Sequence, residues 1–511
     1  MPTYSTPGVY VNEGTLSSLT PSFSGGTAAV FFGEAERGPT TVTAIDNWAS
    51  YKRTYGDLKD AYDIGYAVYH YFANGGRTCY VVRVAASDAA IADNTSIEYY
   101  PNGDTGASSA ATLFDADAIS AGAWGNSLKI NIVNGQQVYS DGKHGTFTVV
   151  ITDGTTEVER WTEVSLDPNS SRYVGTVINT YSNYIVISNV STEDATADNT
   201  FDTSSTFSLA NGSDGSAVAD SDYTTAVDLL DPIEGMLLLN AVGNTSGTVI
   251  TALVNKAAAR GDSFVIVDPD KTDETLSSIQ TTSSNFTNQS NGGYAAHYAP
   301  ALKMVDPAKT GPGAIRVTYP GGAVAGLMVR TETQRSVAKA PAGFDADIRG
   351  AIGLVANLSN TDIGTLYDGS TPINAFKAVP GGGVVVYGAR TLSRTATDKF
   401  IPVRRTLNYL KYNLKRITDF AVFQPNDPNL WNRINLTVAS FLGEFYRSGG
   451  LKGTNAAQAF YVVCNSTNNT ATSIDQGIVN VEVGVALQYP AEFIVINLSQ
   501  WTGGGNAAES L

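Results

Sequence analysis

The chain has 511 residues, of which 42% are hydrophobic and only 16% charged, with a net charge of −16. This length exceeds a single core and points to about two to four domains. The acidic balance excludes a general nucleic-acid binder, which needs basic surface to displace counterions, and disfavours an anionic membrane as partner.

Residues 1–20 read as an extended arm: Pro7-Gly8 leads into the strand-like run Val9-Tyr10-Val11-Asn12-Glu13. Such a strand pairs with its own domain or adds to a neighbour's sheet edge. From Thr27 the pattern turns α/β. Ala28–Phe32 is an apolar strand, Ala61–Ala73 a helix stopped by Asn74-Gly75-Gly76, and Cys79–Val84 a buried strand. Residues 88–222 are rich in Thr, Ser, Asp and Gly, with 19 acidic and 4 basic residues, a net of −15. Alternating segments such as Phe147–Thr152 and Tyr184–Ser188 predict a β-sandwich there. We read it as a solvent-facing insertion that splits one α/β core into 21–87 and 223–380.

The α/β pattern resumes with strand Met236–Leu239, helix Thr248–Ala259 and strand Phe264–Val267, a parallel βαβ unit. Residues 381–500 form an α+β unit. Val403, Leu407, Leu410, Leu414 and Ile417 make one stripe of a helix, and Leu430–Tyr446 makes a second, closed by Ser448-Gly449-Gly450. Phe460–Cys464, Val479–Val485 and Phe493–Leu498 read as strands, and 501–511 as a flexible tail.

Chemistry-bearing patterns are sparse. Cys79 and Cys464 sit in apolar runs and read as buried free thiols, and the three widely spaced histidines (His70, His144, His297) offer no metal-ligand spacing. No metal and no cofactor is expected. The N-terminus lacks the basic and apolar regions of a signal peptide, and no apolar run approaches the ~20 residues that span a bilayer, so a soluble protein made in a cytoplasm is expected.

The glycines after Pro380 precede a strand rather than a helix, so a tight turn is expected; Gly321-Gly322 is read likewise. A hydrolase would draw on Asp268, His70 or His297, yet there is no G-x-S-x-G elbow. No catalytic residue is assigned, and the chain is not expected to be an enzyme. Across residues 386–420, eight basic residues face only Asp398 and Asp419, a net of +6. Arg404, Arg405, Lys411, Lys415 and Arg416 lie opposite or beside the leucine stripe. That face reads either as a solvated surface or as a dock for an acidic partner.

Several motifs together resemble one family, the tail sheath proteins of contractile phages and related injection devices. They are Pro7–Glu13, Gly322–Thr331, Lys339-Ala340-Pro341-Ala342, Val386–Ser393 with Val403-Arg404-Arg405, Val422–Asn426, Gly449–Gly453 and Pro490–Val495. The resemblance covers about residues 1–85 and 230–505 and leaves out the acidic insertion. It implies a non-catalytic, subtilisin-like α/β core, an outward insertion, and a C-terminal domain facing a tail tube through Arg404, Arg405, Lys411, Lys415 and Arg416. It also implies a homopolymer in which Val9, Tyr10 and Val11 and Phe493, Ile494, Val495 and Ile496 pair with sheets of neighbouring copies. Tube, baseplate and tail terminator proteins are the expected partners, with no nucleic-acid contact or membrane insertion. The expected site is the virion tail, assembled in the host cytoplasm, and the expected role is genome delivery by contraction. The alternatives are a subtilisin-like hydrolase and a secreted β-rich surface or carbohydrate-binding protein.

Overall fold

Strand β1 (Ala28–Gly33) is apolar along its whole length, which demands cover on both faces. The computed structural model describes residues 26–100, 111–136, 146–191, 201, 206–287, 289–311, 313–381 and 383–492. After β1 come the short edge strand β2 (Thr43–Ile45), helices α1 (Trp48–Tyr55) and α2 (Asp63–Ala73), and β3 (Cys79–Arg83). The Asn47 side chain starts α1 by accepting from the Ser50 amide. β3 lies parallel to β1, with Val30 opposite Tyr80.

The chain then leaves the core. β4 (Asp93–Tyr99), β5 (Ala111–Ala118), β6 (Leu128–Asn134), β7 (Phe147–Asp153), β8 (Thr156–Val164), α3 (Val174–Tyr181), β9 (Ile185–Ser188) and β10 (Phe207–Ser208) make a separate unit. Two antiparallel sheets, β10-β6-β7-β8 and β4-β5-β9, share one apolar cluster that includes Ile97, Phe114, Ile130, Phe147 and Ile187. Arg83, at the end of β3, bolts the unit down. Its guanidinium donates to the carbonyls of Ala35 (2.9 Å) and Gly38 (3.3 Å) in the core and of Ala121 (2.8 Å) in the insertion. Arg37 stacks on Tyr184 across the same seam, 4.0 Å from the ring centroid.

α4 (Asp220–Asp228), β11 (Leu237–Ala241), α5 (Gly247–Arg260) and β12 (Phe264–Val267) return the chain to the core. The boundary drawn at residue 222 thus falls inside α4. Asp220 and Asp222 share the insertion's composition, but they form the first helical turn, where acidic side chains suit the free amides; Asp222 accepts from the Ala219 amide. α6 (Leu276–Ser283), β13 (Ala295–Ala299), β14 (Leu302–Val305), β15 (Ile315–Thr318), α7 (Gly321–Gln334), β16 (Ala351–Leu354), α8 (Asn360–Tyr367), β17 (Ile373–Val379) and β18 (Gly383–Val386) follow. The main sheet runs β18-β17-β13-β12-β11-β1-β3-β2, parallel except at its two edge strands.

Alternation along each strand sorts side chains onto two faces. Ala29, Phe31, Phe264 and Ile266 pack towards α2 and α7, whereas Val30, Phe32, Val265 and Val267 pack towards α4 and α5. The core is therefore doubly wound, with helices on both faces. β18 belongs to this sheet, so the boundary at 380/381 falls inside a hairpin; Pro380-Gly381, read as the edge of a unit, is the turn, with Gly381 at φ 105°.

Helices α2 and α7 touch backbone to backbone. A Cβ at Gly322 would lie 2.1 Å from the Ala67 carbonyl oxygen, and one at Gly326 2.4 Å from that of Tyr71. Only glycine permits that approach.

α9 (Ile401–Thr418) leads from the core to a final unit of α10 (Pro428–Arg447), α11 (Ala456–Ala459), β19 (Phe460–Val463), α12 (Ala471–Asp475) and β20 (Glu482–Val485). Asp427 caps α10 by accepting from the Leu430 amide, with proline at the first turn. The unit has its own cluster around Trp431, Val438, Phe441, Leu442 and Phe445. Cys79 and Cys464 are both free and buried. Among the described residues no helix is long and apolar enough to cross a membrane.

Candidate functional site

The parallel sheet places Asp268, one of the hydrolase candidates, just beyond the end of β12. The residue is fully buried. Its Oδ1 accepts from the Gly321 amide at 2.7 Å, and its Oδ2 from Asn240 Nδ2 at 3.0 Å and the Gly243 amide at 3.1 Å. Burial pushes its carboxyl up to about 6, and the three donors pull the other way. Asp268 thus caps α7 from within the core.

Gly321-Gly322, expected as a tight turn, are instead the first two residues of α7, following β15. The order of strand, glycines and helix suits a phosphate cradle, but the Asp268 carboxylate already takes the Gly321 amide and would repel an anion. His297 is fully buried, with Nδ1 3.2 Å from the Val267 carbonyl and its ring edge-on to Phe286. Burial lowers both His297 and His70 to about 4, so each is neutral at pH 7. Among the described residues no group of His, Cys, Asp or Glu is placed to hold a metal ion.

The basic stretch is divided by the fold. Arg404 and Arg405, expected on an open docking face, are buried. Arg404 pairs with Asp398 and lies over the Tyr294 ring at 4.5 Å, donating to its hydroxyl at 3.2 Å. Arg405 donates to Glu332 on α7 at 2.6 Å. The amphipathic pattern suggested one wet face, but the N-terminal half of α9 threads the junction between core and C-terminal unit and is covered nearly all round. Ile401 joins the main-sheet cluster, Asn408 donates to the Ser263 carbonyl, and Leu410 joins the C-terminal cluster. Lys411, Lys415 and Arg416, further along, are exposed.

Arg390 is buried as well, held by Asp368 and Glu492. Glu492 lies in the wall of a cleft of about 1080 Å³ between the two units, beside Lys339, Phe344, Tyr387 and Tyr489. Neither Glu332 nor Glu492 was singled out from sequence. A local signal existed only for the arginines, whose concentration in one stretch exceeds what a single helix face uses.

The C-terminal sheet is small. β19 and β20 pair antiparallel from Phe460 opposite Val485 to Val463 opposite Glu482, and among the described residues no third strand joins them. Tyr461 is 53% exposed. Val9, Tyr10, Val11, Phe493, Ile494, Val495 and Ile496, expected to pair with neighbouring copies, lie outside the described residues.

A doubly wound α/β body with an inserted β unit, an α+β C-terminal unit and internally consumed polar groups defines a multidomain α/β class. Within it, residues 393–500 match the family model of the phage tail sheath C-terminal domain. The chain shares its fold with solved sheath proteins. The sheath tail protein from Listeria innocua has a TM-score of 0.61 at 14% identity, over 90% of this chain and 95% of that one. The sheath tail protein from Desulfitobacterium hafniense has a TM-score of 0.59 at 15% identity, over 89% and 93%. The sheath of an extracellular contractile injection system, PVC, in its contracted state, has a TM-score of 0.58 at 20% identity, over 98% and 99%. No curated protein matches the chain.

Proposed function

We propose that the chain is a structural subunit of a contractile tail sheath. It polymerises with copies of itself around a tail tube and contracts to drive the tube through a host envelope, in a virion tail or a related injection device assembled in the host cytoplasm. The carrying observation is the sheath family match over residues 393–500, joined to a sheath fold over 98% of the chain. The doubly wound body is read as the subtilisin-like core without catalysis, consistent with an Asp268 whose oxygens are already occupied. The acidic insertion is read as a β-sandwich facing outward. Baseplate and tail terminator proteins are the proposed end partners.

Assembly is proposed to run through strand addition. The two-stranded sheet β19–β20 is proposed to offer its outer edges to an extended segment, and Val9–Val11 and Phe493–Ile496 are short, continuously apolar runs of the kind that add to a sheet edge. Tube contact is assigned to Lys411, Lys415 and Arg416, whose exposed charges give weak contacts of about 0–1 kcal/mol each, suited to release on contraction. The extended state is a trap that contraction leaves by exchanging tube contacts for contacts between copies. The test is to express the chain alone and image it by negative-stain electron microscopy. Tubular polymers are expected, with folded monomers once residues 1–20 are deleted; a chain that stays monomeric at every concentration refutes the sheath role.

A further inference from the structure

An antiparallel sheet with one face on a core ordinarily turns polar side chains to solvent. Two small sheets of this chain depart from that rule. In the core, β14, β15 and β16 form a three-stranded sheet whose inward residues include Leu302 and Met304. On its outer face Val305 stands opposite Ile315, and Ile352 lies on the same side of β16. These three are 52%, 50% and 47% exposed. Lys303 projects from the same face, opposite Val317 and Gly353, and Arg349 is exposed two residues before β16. Among the described residues neither cation has an anionic partner, whereas neighbouring Lys309 and Arg316 are both held by Asp60.

The second sheet is β4-β5-β9 of the insertion, and its outer face carries the opposite charge. Asp115, Asp117 and Ile119 point outward, while Phe114, Ala116 and Ala118 are buried. Asp93 lies directly opposite Asp117 on one side and Val186 on the other. Ile91, Ile119 and Val186 are exposed. Asp93 accepts from Asn211 and Asp115 from Asn189, but among the described residues no cation pairs with any of the three aspartates. Like charges set directly opposite each other weaken a sheet. Partial burial and the charges of Asp93 and Asp115 raise the Asp117 carboxyl above its ordinary value.

The two faces are complementary: exposed aliphatic residues with unpaired cations on one, exposed aliphatic residues with unpaired carboxylates on the other. Arg83 and Arg37 fix the insertion to the core, and both faces stay exposed in a single copy, so a partner for each comes from outside it. We propose that the outer face of β14-β15-β16 in one copy docks on the outer face of β4-β5-β9 in the next, with Lys303 set against the aspartate row. A contact between two different surfaces repeats head to tail and builds a row or helix of copies rather than a closed pair. The apolar residues supply contact area, and the charges set the register. The inference rests on the sheath reading and gives the insertion a part in holding neighbouring copies.

The test measures the critical concentration for polymers by sedimentation, with negative-stain imaging and thermal melting of the monomer, for wild type, Lys303→Glu and Asp117→Lys. Each reversal sets like charges across the contact and is expected to raise the critical concentration roughly tenfold. Each monomer should melt within about 4 °C of wild type, because both side chains point outward. An equimolar mixture of the two variants, and the double variant, bring opposite charges together again and should assemble nearly as wild type does. Should Asp117→Lys melt low, Asp115→Lys probes the same row. Wild-type polymers together with unchanged critical concentrations in both single variants overturn the docking and leave the sheath reading standing. Weakened single variants that neither the mixture nor the double variant rescues overturn it as well. A wild-type chain that never polymerises overturns the sheath reading, and the docking with it.

Discussion

The molecule contains two sheets that solve the edge problem in opposite ways. In the main sheet β12 is buried at every residue, and the outer edge of β18 is taken up by the chain's own backbone: Gly343 donates to Val386, Ile348 to Val384, and Val386 to Ala346. In the C-terminal sheet two strands pair with each other, their residues half-buried or exposed. A two-stranded sheet is marginal alone and leans here on α10. Along β18 the edge of the main sheet is closed within a single copy; among the described residues no third strand joins β19 and β20. Under the sheath reading proposed above, the core is the rigid body and the C-terminal unit a place where copies join.

Breaking the finished region should be the most damaging change. Gly322→Val forces a side chain into the Ala67 carbonyl and must part α2 from α7, so a loss of about 3 kcal/mol or more is expected, read by urea unfolding of the monomer. Arg405→Met strands Glu332 at the junction and should cost roughly 3 kcal/mol. The double variant with Glu332→Gln should recover much of that, and a double-mutant cycle with no coupling would mean that the pair is idle.

Asp268 sharpens the contrast through pH. Its folded carboxyl titrates near 6 and its unfolded one near 3.8, so between these values the folded state binds the proton that the unfolded state has released. Stability from this group is therefore full below pH 3.8 and falls as pH rises to 6, by about 3 kcal/mol. Asp268→Asn should remove that slope from a plot of melting temperature against pH; an unchanged slope would refute the assignment. The smallest effect on the monomer is expected at the far end of α9. Reversing Lys411, Lys415 and Arg416 to Glu should shift monomer stability by no more than about 0.5 kcal/mol per site. The same change should abolish co-sedimentation with tubes, and sheaths that still form around tubes would break the tube assignment.

Short-range pattern was enough for the elements that carry their own boundaries. The strand at Phe264–Val267 has the predicted ends, because a run buried on both faces can hardly be anything but apolar throughout. α10 extends two residues before and one beyond its predicted span, since Asp427, Pro428 and Gly449 punctuate it locally. The parallel βαβ unit was legible for the same reason.

The fate of the basic stretch was not legible. α9 shows a proper amphipathic period, yet whether an arginine beside that stripe meets solvent or a carboxylate depends on Glu332, 73 residues away, and on Glu492, 102 residues from Arg390. Gly321-Gly322 looked like a turn because glycine weakens a helix locally, and only contact with α2 explains its place in one. Composition, helix and strand periods and caps are properties of neighbouring residues, and the sequence by itself determined them. Which charges are neutralised and which glycines touch another backbone are properties of segments far apart in the chain. Those were decided by the tertiary structure, because a buried charge or a close backbone approach is tolerated only where a particular distant partner completes it.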